Sequence, residues 1–306
     1  MFCKRGVDNY KRPLIDFSDY RRSVVIAGTG RSGTTWLANI VNYANTHRFM
    51  FEPFHPERVD VVSHFRYRQY LRYDNCERAF IEPARIILSG RIKNDWIDKL
   101  NRKSISRSRL IKDIRINLLL KWIKTHFPEV PVILLLRHPC AVANSKLQLN
   151  WDSPIEEYLT QEELTEDFLA PFRDKIEGAR DIFEKHVFLW CIENYVPLRQ
   201  FAEDQIHTAF YEDLCVAPEQ EIERLFSFLG ERYDKKIFDV FKEPSVLCRE
   251  NSPVLCKREL TEDFRNYITT KQVRRAIEIL SLFGLDRIYL EDSAPLVSGK
   301  RDPFAL

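Results

Sequence analysis

A segment with three glycines, GTGRSGTTW at residues 28–36, has the composition of an oxyanion-binding loop. It follows a short apolar run at 21–27 and precedes apolar residues at helical spacing over 36–44, so it joins a predicted strand to a predicted helix. Backbone N–H groups at the start of a helix lack partners within it and, with the helix dipole, favour anions. Arg31, inside this glycine loop, adds a planar cation that can bind two oxygens.

The glycine loop lacks the lysine expected of a nucleoside-triphosphate site. A GxxxxGKS or GxxxxGKT motif aligned on the first and last glycines would place lysine where this chain has Thr34. The hydroxyls of Ser32 and Thr35 add further donors, and Trp36 offers a flat face for a purine ring. The pattern therefore favours a sulfate or phosphate ligand, with a P-loop kinase or nucleoside triphosphatase as the main alternative.

The glycine loop resembles the 5′-phosphosulfate loop of sulfotransferases, which reads proline, then lysine or arginine, then SGTTWL. This chain departs from that motif with glycine in place of the proline. Its arginine at the basic position resembles the variant found in carbohydrate-type and many bacterial members. The resemblance implies that the donor is 3′-phosphoadenosine 5′-phosphosulfate (PAPS), used without a metal. It implies the following donor-binding residues in the loop: Gly30, Arg31, Ser32, Gly33, Thr34, Thr35 and Trp36.

Two further segments match the same family. Its 3′-phosphate site has an arginine at a strand end and a serine eight residues later, as Arg137 and Ser145 stand here. Its Tyr-Glu-Asp segment, present here at 211–213, implies that Tyr211 lines the adenine pocket. The family's basic C-terminal loop has only Lys257 and Arg258 as a counterpart, which either close over the 3′-phosphate or form a solvated pair.

Transfer of a sulfuryl group to a hydroxyl requires a general base near the sulfate. The cytosolic branch of the family uses a histidine two residues after a lysine, but this chain has Lys112 followed at that spacing by Ile114. Carbohydrate-type members use a glutamate in a segment similar to residues 50–54, which implies Glu52 as the base, with His55 as the alternative.

The flanking apolar residues predict that desolvation raises the pKa of Glu52. We expect Lys112 to contact sulfate oxygens, with Asp113 orienting it, and Arg31 to neutralise charge during transfer. The catalytic residues predicted are therefore Glu52, Arg31 and Lys112.

These residues need a scaffold that brings strand ends together. Strands are predicted at 21–27, 48–51, 109–112, 132–136 and 206–211. Helices are predicted at 36–44, 118–127, from Pro139 onward, 182–202, 219–229 and 271–283. The alternation predicts an α/β fold in which helices wrap a central parallel sheet, similar to the three-layer sulfotransferase fold with its P-loop. We expect one domain over 1–306, with a basic acceptor-side region at 54–108 and an acidic helical region at 150–178.

Composition excludes several other classes. The 306 residues carry a net charge of only +2, so the whole chain does not resemble a nucleic-acid-binding protein. No apolar run approaches the about 18 residues of a membrane helix, and no signal-peptide pattern is present, which predicts a cytoplasmic location. The seven cysteines have no metal-ligand spacing, and no metal is expected. The stretch 58–124 holds 17 Lys and Arg against 7 Asp and Glu, which leaves a non-catalytic anion-binding or nucleic-acid-binding module as a further alternative.

Overall fold

A computed structural model describes residues 14–202, 204–241 and 261–297. The strands are β1 Ile15–Asp16, β2 Ser23–Ala27, β3 Arg48–Phe51, β4 Ile105–Ser106, β5 Arg109–Asp113, β6 Val132–Leu136 and β7 His207–Phe210. The helices are α1 Thr34–Val41, α2 Arg78–Leu88, α3 Leu120–His126, α4 Pro139–Leu147, α5 Glu156–Leu159, α6 Glu162–Leu164, α7 Arg173–Glu177, α8 Ile182–Gln200, α9 Tyr211–Val216, α10 Pro218–Leu229, α11 Ile237–Val240 and α12 Thr270–Leu282.

Five strands form one parallel sheet in the order β3-β5-β2-β6-β7. The central strand β2 pairs with β5 on one side and β6 on the other, with Ile26 opposite Lys112 and Ile133. The other two strands, β1 and β4, form a separate parallel pair. Because all five strands run in one direction, their carboxyl ends lie at the same edge.

Helices cover both faces of this sheet. The five residues of β2 are buried and alternate between the faces: Val25 and Ala27 join a core with α3, α4, α8 and α12, whereas Val24 and Ile26 join a core with α1, α10 and α11. Each fully buried aliphatic side chain contributes about 1.5–3 kcal/mol. The predicted α/β fold, a parallel sheet between two helical layers, is confirmed.

Two predicted helices are shorter than expected. Helix α1 ends at Val41 rather than 44, because the Asn42 side chain exchanges hydrogen bonds of 2.9 and 3.0 Å with the backbone of His47 and closes a turn. The predicted helix at 118–127 instead begins with a 3-10 turn, Asn117–Leu119, and becomes α-helical only at Leu120.

The two charged regions differ in structure. Residues 54–108 consist mainly of turns around α2, and their backbone follows the outer edge of β3, where the Ile97 carbonyl accepts from the Phe51 N–H at 2.8 Å. Residues 150–178 contain α5, α6 and α7. There Glu166 and Asp167 form ion pairs with Arg72, which joins the acidic region to the basic one.

Candidate functional site

The glycine loop leaves the central strand and runs directly into α1. Gly33 caps the helix with φ = 94°, a left-handed conformation that favours glycine, and a Cβ atom there would lie 2.8 Å from the Tyr211 ring. Within the loop the Ser32 N–H donates to the Thr29 carbonyl at 3.0 Å. The turn therefore presents the first N–H groups of α1 at the carboxyl edge of the sheet, where an anion is favoured.

Arg31 links the loop to the segment after β6. Its Nε donates to the Ser145 hydroxyl at 3.0 Å, and its carbonyl accepts from Nη1 of Arg137 at 3.2 Å. The guanidinium of Arg137 in turn lies 4.2 Å from the centre of the Tyr211 ring. The structure thus brings together four residues that the sequence predicts for the loop, the 3′-phosphate site and the adenine pocket.

Trp36 and Tyr211 form an aromatic wall beside the loop. Their ring centres are 5.3 Å apart, and Phe241 packs edge-on against Trp36 at 5.4 Å. Both residues are buried, and burial raises the pKa of the Tyr211 hydroxyl. The two rings are covered by protein to a similar extent and pack against each other beside the loop.

Glycine at position 30, where the family motif has proline, has a steric reason. A Cβ atom on Gly30 would lie 3.0 Å from the Trp151 ring and 3.1 Å from the Ile114 side chain. Ile114 therefore stands against the glycine loop at the position where the cytosolic branch has its histidine. The two side chains form an apolar boundary on this part of the loop.

Glu52 lies directly after β3 and is buried, with 4% of its surface exposed. One carboxylate oxygen accepts from Lys112 Nζ at 2.6 Å, and the other forms an ion pair with Arg115. Arg115 also donates to the Tyr67 hydroxyl at 2.7 Å. The predicted Glu52 and Lys112 are therefore in direct contact, and the two cations hold the carboxylate ionised.

The expectation of a raised pKa for Glu52 is wrong. Burial alone would raise the pKa, but the charges and hydrogen bonds of Lys112 and Arg115 outweigh burial and lower it from its ordinary value. Burial lowers the pKa of Lys112 against the attraction of Glu52. Asp113 also differs from expectation: it accepts from the backbone N–H groups of Phe54 and Arg115, at 2.8 and 2.9 Å, so it shapes two loops rather than orienting Lys112.

His55, the alternative base, is close to the same carboxylate. Its ring packs edge-on against Tyr67 and Trp96, with ring centres 5.5 and 5.3 Å apart. Burial and the charge of Arg115 lower the pKa of His55 to about 4, so the imidazole is neutral near pH 7. A neutral imidazole can accept a proton, which keeps His55 in the comparison with Glu52.

A second buried polar group, beneath the glycine loop, was not predicted from the sequence. Glu193 on α8 forms an ion pair with Arg68 and accepts from the Tyr158 hydroxyl at 2.6 Å, and the next residue, Asn194, donates to the Thr29 hydroxyl at 3.1 Å. Burial opposes ionisation of Glu193, but Arg68 and Lys146 lower its pKa. The available signal was an acid and an amide within the otherwise mainly apolar stretch 187–198 of α8.

Glu212, the middle residue of the Tyr-Glu-Asp segment, connects strand ends to the C-terminal region. Its carboxylate accepts from the backbone N–H of His138 at 2.8 Å and from the Tyr289 hydroxyl at 2.7 Å. Burial raises the pKa of Glu212 to about 7. Because His138 follows Arg137 directly, this carboxyl fixes the backbone that carries the arginine.

The remaining expectations concern the basic pair near the C-terminus, a metal site and membrane segments. Lys257 and Arg258 lie outside the described residues. Across the described ranges, no three His, Cys, Asp or Glu side chains converge as metal ligands would. In the same part of the chain, every helix is too short or too polar to span a bilayer.

Comparison with known proteins identifies relatives by sequence profile and by structure. The family model for the sulfotransferase domain matches residues 21–281. The sulfotransferase domain of the Synechococcus PCC 7002 olefin synthase aligns with a TM-score of 0.50 and 17% identity, over 89% of this chain and 97% of that one. Mouse sulfotransferase SULT7A1 complexed with PAP aligns with a TM-score of 0.50 and 16% identity, over 88% and 86%. No curated protein sequence matches significantly.

Substituting Glu193→Gln should destabilise the protein. The change removes the counter-charge of Arg68 and Lys146, and an uncompensated buried charge costs about 3–5 kcal/mol. Urea unfolding should show this loss in the free energy of unfolding. Glu157→Gln, on an exposed neighbour of Tyr158, is the matched control and should change it by less than about 0.5 kcal/mol. Equal effects of the two substitutions would show that the Glu193 charge has no structural role.

The stability of the folded state should depend on pH through the titration of Glu212. Its pKa is about 7 when folded and 4.5 in the reference state, so between these values the native state holds a proton that the unfolded state has lost. Its contribution to stability is therefore present below pH 4.5 and is lost as the pH rises to 7. As the pH rises from 5 to 8, the free energy of unfolding of Glu212→Gln should increase by up to about 3 kcal/mol relative to that of wild type.

The measurement is the free energy of unfolding of both proteins at the two pH values. The exposed Glu219→Gln, on the neighbouring helix α10, controls for loss of a carboxylate and should show no such gain. A constant difference between wild type and Glu212→Gln across this range would contradict the raised pKa.

Proposed function

Because the chain belongs to the sulfotransferase domain family, we propose that it transfers the sulfuryl group of PAPS to the hydroxyl of an acceptor, a sugar or another alcohol. The choice of donor rests on two hydrogen bonds of Arg31. Its side chain donates to the Ser145 hydroxyl, and its carbonyl accepts from Arg137. A nucleotide that has a 5′-phosphosulfate and a 3′-phosphate needs two anion sites close together. These contacts support such a pair, because they hold the glycine loop next to Arg137 and Ser145. ATP has no 3′-phosphate, so in a kinase or triphosphatase the proposed 3′-phosphate site at Arg137 and Ser145 would bind no part of the nucleotide.

The donor is proposed to lie across the carboxyl ends of β2, β6 and β7. The N–H and hydroxyl groups of the glycine loop, residues 30–36, bind the 5′-phosphosulfate, and Arg137 with Ser145 binds the 3′-phosphate. Tyr211 lines the adenine pocket. The mouse structure contains PAP, the desulfated form of this donor, which supports the choice of nucleotide.

Sulfuryl transfer then proceeds in line. The acceptor oxygen forms a bond to sulfur while the bond from sulfur to the phosphate oxygen of the donor breaks, and the hydroxyl proton passes to Glu52. Arg31 and Lys112 neutralise the charge on the sulfate oxygens. Lys112 is on β5, between the strand that ends at Glu52 and the strand that leads into the glycine loop. This position, together with its contact to Glu52, supports a role for Lys112 in binding both the base and the sulfate.

This position of Lys112 explains how a carboxylate with a lowered pKa can act as a base. When the sulfate binds, Lys112 divides its hydrogen bonds between the sulfate and Glu52. The carboxylate then loses part of the interaction that lowers its pKa, so its basicity rises. Binding of the donor thus prepares the base for the acceptor.

The proposal takes residues 1–306 as one sulfotransferase domain that acts in the cytoplasm without a metal. Residues 54–108 are assigned to the acceptor side, because they supply Tyr67 and Trp96 next to Glu52. The family match over 21–281 contains both this region and the acidic residues 150–178.

PAP should raise the melting temperature of the protein more than 5′-AMP does, because only PAP carries the 3′-phosphate. Arg137→Ala should remove most of this difference, since it deletes the charged partner of that phosphate. Thermal unfolding at matched nucleotide concentrations measures both effects. The thermal shift with ATP and Mg²⁺ is measured as a third comparison. A larger shift with ATP than with PAP would overturn the proposed donor, and an unchanged PAP shift in Arg137→Ala would overturn the assignment of that residue.

Glu52→Gln should lower kcat by about 10²-fold or more, because it removes the proton acceptor. The PAP-induced thermal shift should persist, which shows that the donor site is intact despite the loss of a buried charge. His55→Gln tests the alternative base, and the exposed Glu57→Gln is the control within the same segment. If His55→Gln causes the larger loss, the proton passes to His55.

The pH profile cannot replace these variants. The pKa of Glu52 is lowered from 4.5 and that of His55 is about 4, so either base is unprotonated at pH 6 and above.

A further inference from the structure

Trp96 is fixed beside the proposed base, on the side away from the glycine loop. Its Nε1 donates to the Glu52 carbonyl at 3.2 Å, and its ring packs edge-on against Phe51 with centres 5.3 Å apart. The segment around it pairs with the outer edge of β3, through the bond from Phe51 N–H to the Ile97 carbonyl. Trp96 therefore belongs to the surface that an acceptor meets next to Glu52.

Two cations lie over this tryptophan. Lys99 Nζ is 3.5 Å from the centre of the Trp96 ring and 3.6 Å from that of Phe51, and the Arg58 guanidinium is 5.6 Å from the Trp96 ring. Both side chains are exposed. Within the described parts of the chain, neither cation has a carboxylate at ion-pair distance, so their charges are available to a ligand.

The surrounding charges do not compensate these cations. Glu52 attracts Lys99 but is already bound by Lys112 and Arg115, and both of those cations repel Lys99, as does Arg58. Partial burial and these repulsions lower the pKa of Lys99 from its ordinary value. Two like charges held together next to a buried ion pair are costly unless a ligand supplies negative charge.

The segment that carries Trp96 and Lys99 is separated in the sheet from the strand that leads into the glycine loop. Counting from residue 97 across the sheet, the order is β3, then β5, then β2, which leads into the glycine loop. Neighbouring strands are about 4.8 Å apart, so the Trp96 segment lies about 14 Å from the strand that carries the loop. The backbone that carries Lys99 and the backbone of the glycine loop therefore lie on opposite sides of β3 and β5. Lys112 lies between them, with its Nζ 4.6 Å from the Phe51 ring centre that Lys99 Nζ approaches to 3.6 Å.

We propose that Arg58 and Lys99, held against Trp96, form a subsite for an anionic group of the acceptor. The acceptor is then an alcohol that carries a carboxylate or a sulfate ester near the hydroxyl to be sulfated. Its anion binds these two cations, and its hydroxyl is directed at Glu52. This inference rests on the proposed sulfuryl transfer from PAPS, whose chemistry it leaves unchanged.

The test compares acceptors that differ only in charge. Phenyl β-D-glucuronide and its neutral C6 amide present the same hydroxyls and differ by one negative charge, and galacturonate oligomers with their methyl esters provide a second pair. Sulfation is followed with radiolabelled PAPS at low and high salt. We expect kcat/KM to be at least about tenfold higher for the acidic member, and this preference to fall as salt screens the charges.

Substitutions then assign the preference to the two cations. In the double variant Arg58→Gln, Lys99→Gln, the ratio of acidic to neutral kcat/KM should fall by about tenfold. Lys93→Gln removes an exposed charge from the same segment, away from Trp96, and should leave the ratio unchanged. Binding of the acidic probe to the PAP-saturated protein, measured by calorimetry, should weaken in the double variant only.

Several results would overturn the subsite. Equal or better use of the neutral members would do so, as would an unchanged ratio in the double variant. Failure of every acidic probe to bind or react, while PAP still stabilises the protein, would also contradict it. If PAP itself does not bind, the proposed function fails rather than the subsite, so the two failures are distinguishable.

Discussion

Every part of the candidate site depends on the parallel pairing of five strands, which places all their carboxyl ends at one edge. The glycine loop follows β2, Glu52 follows β3, and Arg137 follows β6. Lys112 lies at the end of β5, and Tyr211 follows β7 directly. The contacts between Arg31, Ser145 and Arg137 are possible because β2 and β6 are neighbours. A sheet with a different strand order would leave the same residues far apart.

The site is costly to build, and the costs occur at the residues proposed for chemistry. Arg31 and Glu52 have φ values of 79° and 46°, and the other non-glycine residues with positive φ among those that the structure describes are Ser, Asn or Asp. Short polar side chains tolerate this conformation better than arginine or glutamate do, and a residue held there costs about 1–3 kcal/mol. Burial of Glu52 with Lys112 and Arg115 adds a desolvation cost that mutual attraction offsets. Such strain is typical of sites whose geometry is fixed before the ligand binds.

Sequence reasoning recovered the parts of this protein that local patterns determine. The strands at 48–51 and 132–136 were predicted with their observed bounds, because each is a short apolar run closed by a proline or an arginine. The direction of the pKa shift of Glu52 was predicted wrongly, because the two cations that lower it are distant in the sequence. Lys112 and Arg115 lie 60 and 63 positions after Glu52. Arg68, Trp96 and Glu193 were missed for a similar reason: their partners are distant in sequence, and 54–108 has no regular periodicity.

The buried trio of Glu52, Lys112 and Arg115 also constrains how the protein can evolve. Loss of Glu52 leaves two buried cations without their partner, at a cost of about 3–5 kcal/mol, when an entire domain is stable by only about 5–15 kcal/mol. Loss of either cation leaves the buried carboxylate with only one of its two ion pairs. A substitution of a single member of the trio is therefore strongly disfavoured during evolution. Arg58 and Lys99 are exposed, so substitutions there carry little penalty in folding. Under the proposed function, descendants of this chain can thus diverge in which alcohol they accept while inheriting the proposed reacting centre intact.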